Sequence, residues 1–223
     1  MAIPLLSKRI EADKVVIELR MLTKHLKLTL DRVSCVGCGV CLSACPMEAI
    51  ERGPVGASRK GLTEVPTVLI DEEKCSFCGI CEIVCPFGCI ELTIDGEHKL
   101  MIQENAAIPK LEKVEVECEA TGRKAYKFFE GEITIHPENC PGGCSTCVQV
   151  CPVGALHIPE KLSWEKAPRI EVDKEKCILC GACINCCPAK DVIEIERKKF
   201  NFSGEHTEIW NEILERLRKP KRI

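Results

Sequence analysis

Sixteen of the nineteen cysteines fall into four runs built on one plan. The most regular is Cys75-Ser-Phe-Cys78-Gly-Ile-Cys81-Glu-Ile-Val-Cys85-Pro86, three cysteines at intervals of three and a fourth directly before a proline. The others place Cys35, Cys38, Cys41 and Cys45 before Pro46, Cys140, Cys144, Cys147 and Cys151 before Pro152, and Cys177, Cys180, Cys183 and Cys187 before Pro188. A short loop with a thiolate every third residue can wrap a 4Fe-4S cube and offer a sulfur to three of its four irons, a spacing that tetrahedral zinc does not ask for. Gly79, directly after the second cysteine, lets the backbone turn tightly so that its N–H groups approach the cluster sulfides. Cys85 is expected to open a short helix and to point away from its own loop.

The elements that must position these loops are visible as a repeat. The copies read KLTLDRVSCVGCGVCLSACPMEAIE, TVLIDEEKCSFCGICEIVCPFGCIEL, EITIHPENCPGGCSTCVQVCPVGALHI and RIEVDKEKCILCGACINCCPAKDVIEI. Each holds an alternating strand, an acidic or polar turn, the cysteine loop, a proline-started helical turn and a second strand. Copies one and two are joined around Gly53-Pro54-Val55-Gly56, and copies three and four around Pro159 to Pro168. A longer gap separates copies two and three. In it Val114, Val116 and Cys118 alternate, Thr121-Gly122-Arg123 reads as a turn and Ala125 to Phe129 as a returning strand. The expected fold is α+β, with an N-terminal extension (1–25), a first two-cluster domain (26–103), an inserted β-hairpin (104–129), a second two-cluster domain (130–197) and a C-terminal amphipathic helix (198–223). Residues 1–25 fit a strand or a helix equally well.

Composition sets the bounds. The 31 basic and 34 acidic residues nearly balance, which argues against a nucleic-acid arm. Metal-ligand spacing of the cysteines belongs with a reducing compartment, so a cytoplasmic, anaerobic setting is expected. Aromatic residues make up only 4 % of the chain, as if something other than side chains fills the interior. Four oxidised clusters, each about −2 with its thiolates, would take the formal charge from −3 to about −11. Apolar runs such as Val15-Val16-Ile17 fall far short of a membrane span, and no secretory address is read, so no membrane association is expected.

The four runs resemble the bacterial-type dicluster ferredoxin family over residues 26–103 and 130–197. In that family the fourth cysteine of each run ligates the other cluster of its domain. The resemblance therefore implies four 4Fe-4S clusters, held by Cys35, Cys38, Cys41 and Cys85, by Cys75, Cys78, Cys81 and Cys45, by Cys140, Cys144, Cys147 and Cys187, and by Cys177, Cys180, Cys183 and Cys151. The third loop, Cys140-Pro-Gly-Gly-Cys144, is one residue longer, and Gly142-Gly143 supplies the freedom it needs. The duplicated arrangement, the hairpin and the ending Phe200-Asn-Phe-Ser-Gly-Glu-His-Thr-Glu-Ile-Trp210 also resemble the polyferredoxin subunits of archaeal formylmethanofuran dehydrogenases, larger members of which carry more motifs. This implies low-potential electron transfer in methanogenesis, with the dehydrogenase complex and other ferredoxin-type subunits as partners. Alternatives are the iron-sulfur subunit of another molybdopterin oxidoreductase or of a hydrogenase complex, a free polyferredoxin carrier, and a metal-stapled binding module without redox work.

Outside the runs, Cys89 stands where two other copies have Ala49 and Ala155, so a small packing thiol is expected there, and likewise at Cys118 and Cys186. The five histidines are scattered and share no motif with a nucleophile, so no catalytic site is expected. Ser203 is the expected N-cap of a helix whose Ile209, Trp210, Ile213, Leu214 and Leu217 share one face before Pro220. Its basic end, Arg216, Arg218, Lys219, Lys221 and Arg222, suits the helix dipole or an acidic partner. Tyr126, Phe128, Phe129 and Trp210 offer anchors for docking onto a partner, or cover the joint between the two domains.

Overall fold

The computed structural model describes residues 4–118, 122–142, 144–159 and 170–220. The apolar and charged groups that open the chain form strands. β1 (Leu5–Ile10), β2 (Lys14–Arg20) and β3 (His25–Asp31) run antiparallel, and Ile17 faces Leu28 across the second pair, both buried. Then come α1 (Val40–Ala44), β4 (Ile50–Arg52), α2 (Val55–Arg59), β5 (Val68–Ile70), α3 (Ile80–Ile83), β6 (Ile90–Ile94) and β7 (Glu97–His98). The main sheet has the order β1-β2-β3-β6-β7, while β4 pairs with β5. The first strand of one copy thus pairs with the last strand of the next, and the inner strands pair with each other. That pairing carries each cysteine run toward the other copy.

Helix α4 (Met101–Glu104) and β8 (Lys110–Leu111) lead into the hairpin of β9 (Val114–Cys118) and β10 (Arg123–Lys127), with Val114 opposite Lys127 and Cys118 opposite Arg123. Thr121 of the expected turn lies outside the described residues, and Gly122 takes φ 61°. The backbone N–H of Tyr126 donates to the Pro86 carbonyl at 2.7 Å, which ties the hairpin to the second cysteine run. The second domain repeats the plan with β11 (Phe129–Ile135), a 3-10 turn at Pro137–Asn139, α5 (Thr146–Val150), β12 (Leu156–His157), β13 (Glu171–Val172), α6 (Ala182–Cys186) and β14 (Ile193–Phe200). Here β11 pairs with β14 and β12 with β13. Most of the expected connection between copies three and four, residues 160–168, lies outside the described residues, as do Gly143, Lys221 and Arg222.

Three expectations of detail need correction. The helical turn of each run lies inside the loop, across the third cysteine, and not after the Cys-Pro pair. A residue before proline is disfavoured in the α region, so Cys45, Cys151 and Cys187 end their helices in extended conformations, and Cys85 follows α3 instead of opening it. Ser203 does not cap the last helix: β15 (Phe202–Ser203) pairs with β8, and α7 (Glu208–Arg218) starts after Thr207, whose hydroxyl donates to the Ala107 carbonyl at 3.1 Å. Phe128, Phe129 and Trp210 are no docking anchors, because all three are fully buried. Phe128 and Phe129 meet edge to face at 4.6 Å between centroids, and Trp210 packs on Phe202 at 5.7 Å.

The two domains meet through named contacts. Gly56 of α2 lies where a methyl group would stand 3.4 Å from Thr146 of α5. Asn185 of α6 donates from Nδ2 to the carbonyls of Gly37 and Cys38 at 3.1 and 3.0 Å. Arg216 of α7 reaches across to the Cys45 carbonyl at 3.0 Å, so the basic end of the helix ties the domains together.

Candidate metal centres

Each cysteine loop is set by turn chemistry just ahead of it. The Oδ1 atoms of Asp31, Asp71 and Asp173 each accept from the N–H groups two and three residues on, at 2.8 to 3.2 Å. Their carbonyls accept from the N–H groups of Cys35, Cys75 and Cys177 at 3.1 to 3.2 Å. The third run has His136 at that place, and Cys140 instead donates to Pro137. Inside the loops, the residue before the second cysteine takes positive φ in three runs: Gly37 at 70°, Phe77 at 53° and Leu179 at 55°. The glycine after the second cysteine does the same, Gly39 at 77°, Gly79 at 81° and Gly181 at 96°.

The thiols converge in sets that mix the two runs of a domain. Cys45, Cys75, Cys78 and Cys81 line one cavity together with Leu28, Ile50 and Ile70. Cys151, Cys177, Cys180 and Cys183 line the equivalent cavity beside Ile133 and Ile195. Burial pushes the Cys41 thiol well above its ordinary pKa, and the neighbouring Cys38, Cys35 and Cys85 push it further. Burial likewise raises Cys147 to about 11, with Cys187 and Cys144 adding to it. Among the described residues no three His, Cys, Asp or Glu groups converge tightly enough for a single ion.

This donor set fits a 4Fe-4S group. Crowded, buried thiols are costly to ionise until iron neutralises them, and N–H donors already face the sulfurs. Ala49 donates to Cys45 Sγ at 3.4 Å, Ala155 to Cys151 Sγ at 3.3 Å and Leu179 to Cys177 Sγ at 3.4 Å. Cys144 is the exposed member among the thiols of the four runs.

Two neighbours of the Cys35 thiol, Cys89 and Thr67, could not be placed there from the sequence. Cys89 is buried in the core as expected, and its Sγ lies 3.3 Å from Cys85 Sγ and also hydrogen-bonds Cys35. The contact between Cys89 and Cys85 pulls the Cys85 thiol below its ordinary range. Thr67 Oγ1 donates to Cys35 Sγ at 3.1 Å. The one available hint was that Cys89 replaces an alanine of the repeat. Cys186 sits beside Cys147, Cys187 and Cys144, and burial raises it to about 12. Cys118 belongs to the core under the hairpin.

The family model described as a 4Fe-4S dicluster domain matches residues 34–89 and again 139–191, and a second model of the same description matches 67–152. The chain belongs to the 4Fe-4S dicluster domain family. Its two dicluster domains provide for four 4Fe-4S clusters, and the chain is an iron-sulfur electron-transfer protein. Among solved structures this dicluster protein is similar to a chain of the formate dehydrogenase–heterodisulfide reductase–formylmethanofuran dehydrogenase complex from Methanospirillum hungatei. The TM-score is 0.87 and the identity 32 %, over 98 % of this chain and 92 % of that one. Among curated relatives it is 42 % identical over 50 residues to one component of an ion-translocating oxidoreductase complex from Methanosarcina acetivorans. It is 37 % identical over 73 residues to an aliphatic sulfonate oxidoreductase polyferredoxin-like subunit from Pyrococcus furiosus. These stretches are 22 % and 32 % of this chain, and they span only 16 % and 38 % of those relatives. No helix among the described residues is long and apolar enough to cross a membrane.

Proposed function

We propose that this chain is the polyferredoxin-type subunit that passes low-potential electrons to or from a formylmethanofuran dehydrogenase within a cytoplasmic redox complex. The observation that carries this reading is the full-length likeness to a chain of an assembly that contains such an enzyme. When bound, each cluster supplies a one-electron centre. The chain's own residues hold, insulate and order those centres. The proposed ligand sets are Cys35, Cys38, Cys41 and Cys85, then Cys75, Cys78, Cys81 and Cys45, then Cys140, Cys144, Cys147 and Cys187, then Cys177, Cys180, Cys183 and Cys151.

Neighbour relations between thiols support a linear order. Cys81 lies within electrostatic reach of Cys85, Cys38 of Cys180, and Cys183 of Cys186 beside Cys147. The conduction path then runs from the Cys75 loop through the Cys35 and Cys177 loops to the Cys140 loop, where Cys144 meets solvent. One domain faces the enzyme and the other an electron donor or a further polyferredoxin. Native purification from the source organism tests the partner. Formylmethanofuran dehydrogenase subunits are expected among the companion chains, and a lone monomer or a quinone-linked membrane reductase in their place would contradict it.

A further inference from the structure

Strand β14 alternates buried Ile193 and Ile195 with exposed or half-exposed Glu194 and Glu196, and the next inward position holds Arg197, only 1 % exposed. A charge where the pattern calls for an apolar side chain is the kind of local conflict that marks a functional position. The backbone is shaped to accept it: the ladder between β11 and β14 is irregular at Glu130/Gly131, with Gly131 opposite Arg197, and a Cβ on Gly131 would stand 2.0 Å from the Glu196 carbonyl.

The guanidinium lies at the seam between the domains. Its Nε and Nη2 donate to the Leu179 carbonyl at 3.0 and 2.9 Å, Nη2 also to the Cys180 carbonyl at 3.0 Å, and Nη1 to the Leu217 carbonyl at 2.6 Å. Its carbon stands 4.6 Å from the Phe129 ring centroid. A Cβ on Gly181 would come 3.2 Å from the Cys38 carbonyl oxygen and 3.7 Å from Arg197 Nη2, so the first and fourth cysteine loops touch where the guanidinium sits.

Among the described residues Arg197 has no carboxylate in ion-pair range. A buried cation without a counter-charge is strongly disfavoured. A guanidinium keeps its charge at neutral pH, and the cysteines of the two loops, Cys38, Cys180, Cys177 and Cys183, lie around it. The negative charge that answers it is therefore that of the thiolate-ligated groups on both sides of the seam.

We infer that Arg197 is the fixed counter-cation of the inter-domain junction, stabilising the reduced state of the centres in the Cys35 and Cys177 loops and so governing electron passage between the domains. The inference rests on the proposed four-cluster reading. One electron crosses the seam, one side being oxidised as the other is reduced, and Arg197 neither gains nor loses a proton. Arg197 is a positioning and tuning residue, since it touches loop carbonyls and not the reacting atoms.

The test is a redox titration of the anaerobically purified full chain followed by electron paramagnetic resonance, comparing wild type, Arg197→Gln and Arg197→Lys. With Arg197→Gln, the reduced-to-oxidised ratio of the two flanking centres at fixed potential should fall about tenfold, about 59 mV more negative for one electron. Arg197→Lys should restore it, and the two outer centres should not move. Should Arg197→Gln fail to take up iron, the wild type still decides. Its first two centres to reduce should be those perturbed by Cys38→Ser and Cys180→Ser, and finding them last to reduce would overturn the inference. Unchanged potentials in a fully loaded Arg197→Gln protein would also overturn it, while leaving the electron-transfer reading intact. A wild type that binds no 4Fe-4S centres would overturn both.

Discussion

Cys85→Ser should remove or convert the centre that Cys35, Cys38 and Cys41 hold, and leave intact the one held by the loop in which Cys85 itself resides. About four of about sixteen irons per chain should be lost or become labile. The physical ground is topological. Because β3 pairs with β6 and β4 with β5, the end of each run is carried to the other run of its domain. Cys41 accordingly has Cys85 among its electrostatic neighbours, while Cys45 lines the cavity of Cys75, Cys78 and Cys81. Iron analysis with paramagnetic resonance of Cys85→Ser beside Cys75→Ser checks this. If both substitutions disturb the same signal, the crossed assignment is wrong.

Trp210→Ala should destabilise the protein by about 3–5 kcal/mol, the usual cost of emptying a fully buried aromatic site. Trp210, Ile213 and Leu217 present one buried face of α7, and they do so at a joint. The same helix holds the Arg197 side chain through the Leu217 carbonyl and reaches the first domain through Arg216. Loosening it should expose both domains' loops as well as lower the unfolding midpoint. Denaturant unfolding of the iron-loaded chain, with the rate of iron loss followed in parallel, reads both effects. A midpoint within the range of a surface substitution, under about 0.5 kcal/mol, would show that α7 does not bind the domains together.

The parts of this architecture that are local in the chain were legible in the sequence. Cysteine spacing, the four copies, the alternation of Val114, Val116 and Cys118 and the apolar face of Trp210, Ile213 and Leu217 all follow from nearest neighbours along the chain. What was not legible depends on residues far apart in sequence. Ser203 looked like a cap because its partner Lys110 lies in another segment. The aromatic residues of the hairpin read equally well as docking anchors or as cover for the joint between the domains, and only the closure of β11 on β14 puts Phe128 and Phe129 inside. The displaced helical turns had a local cause that could have been read: glycine in the left-handed region starts α1, α3 and α6 before the third cysteine, and the proline after the fourth ends the segment. Cys89 and Arg197 carried weaker signals, a thiol in place of a repeat alanine and a cation in an apolar alternation.

The metal content of the whole chain is the most direct measure of the four-cluster reading. Anaerobically purified protein should contain about sixteen iron and sixteen acid-labile sulfide per chain, four of each per cluster, and should give 4Fe-4S signals on reduction. Stoichiometric zinc with no acid-labile sulfide would contradict it.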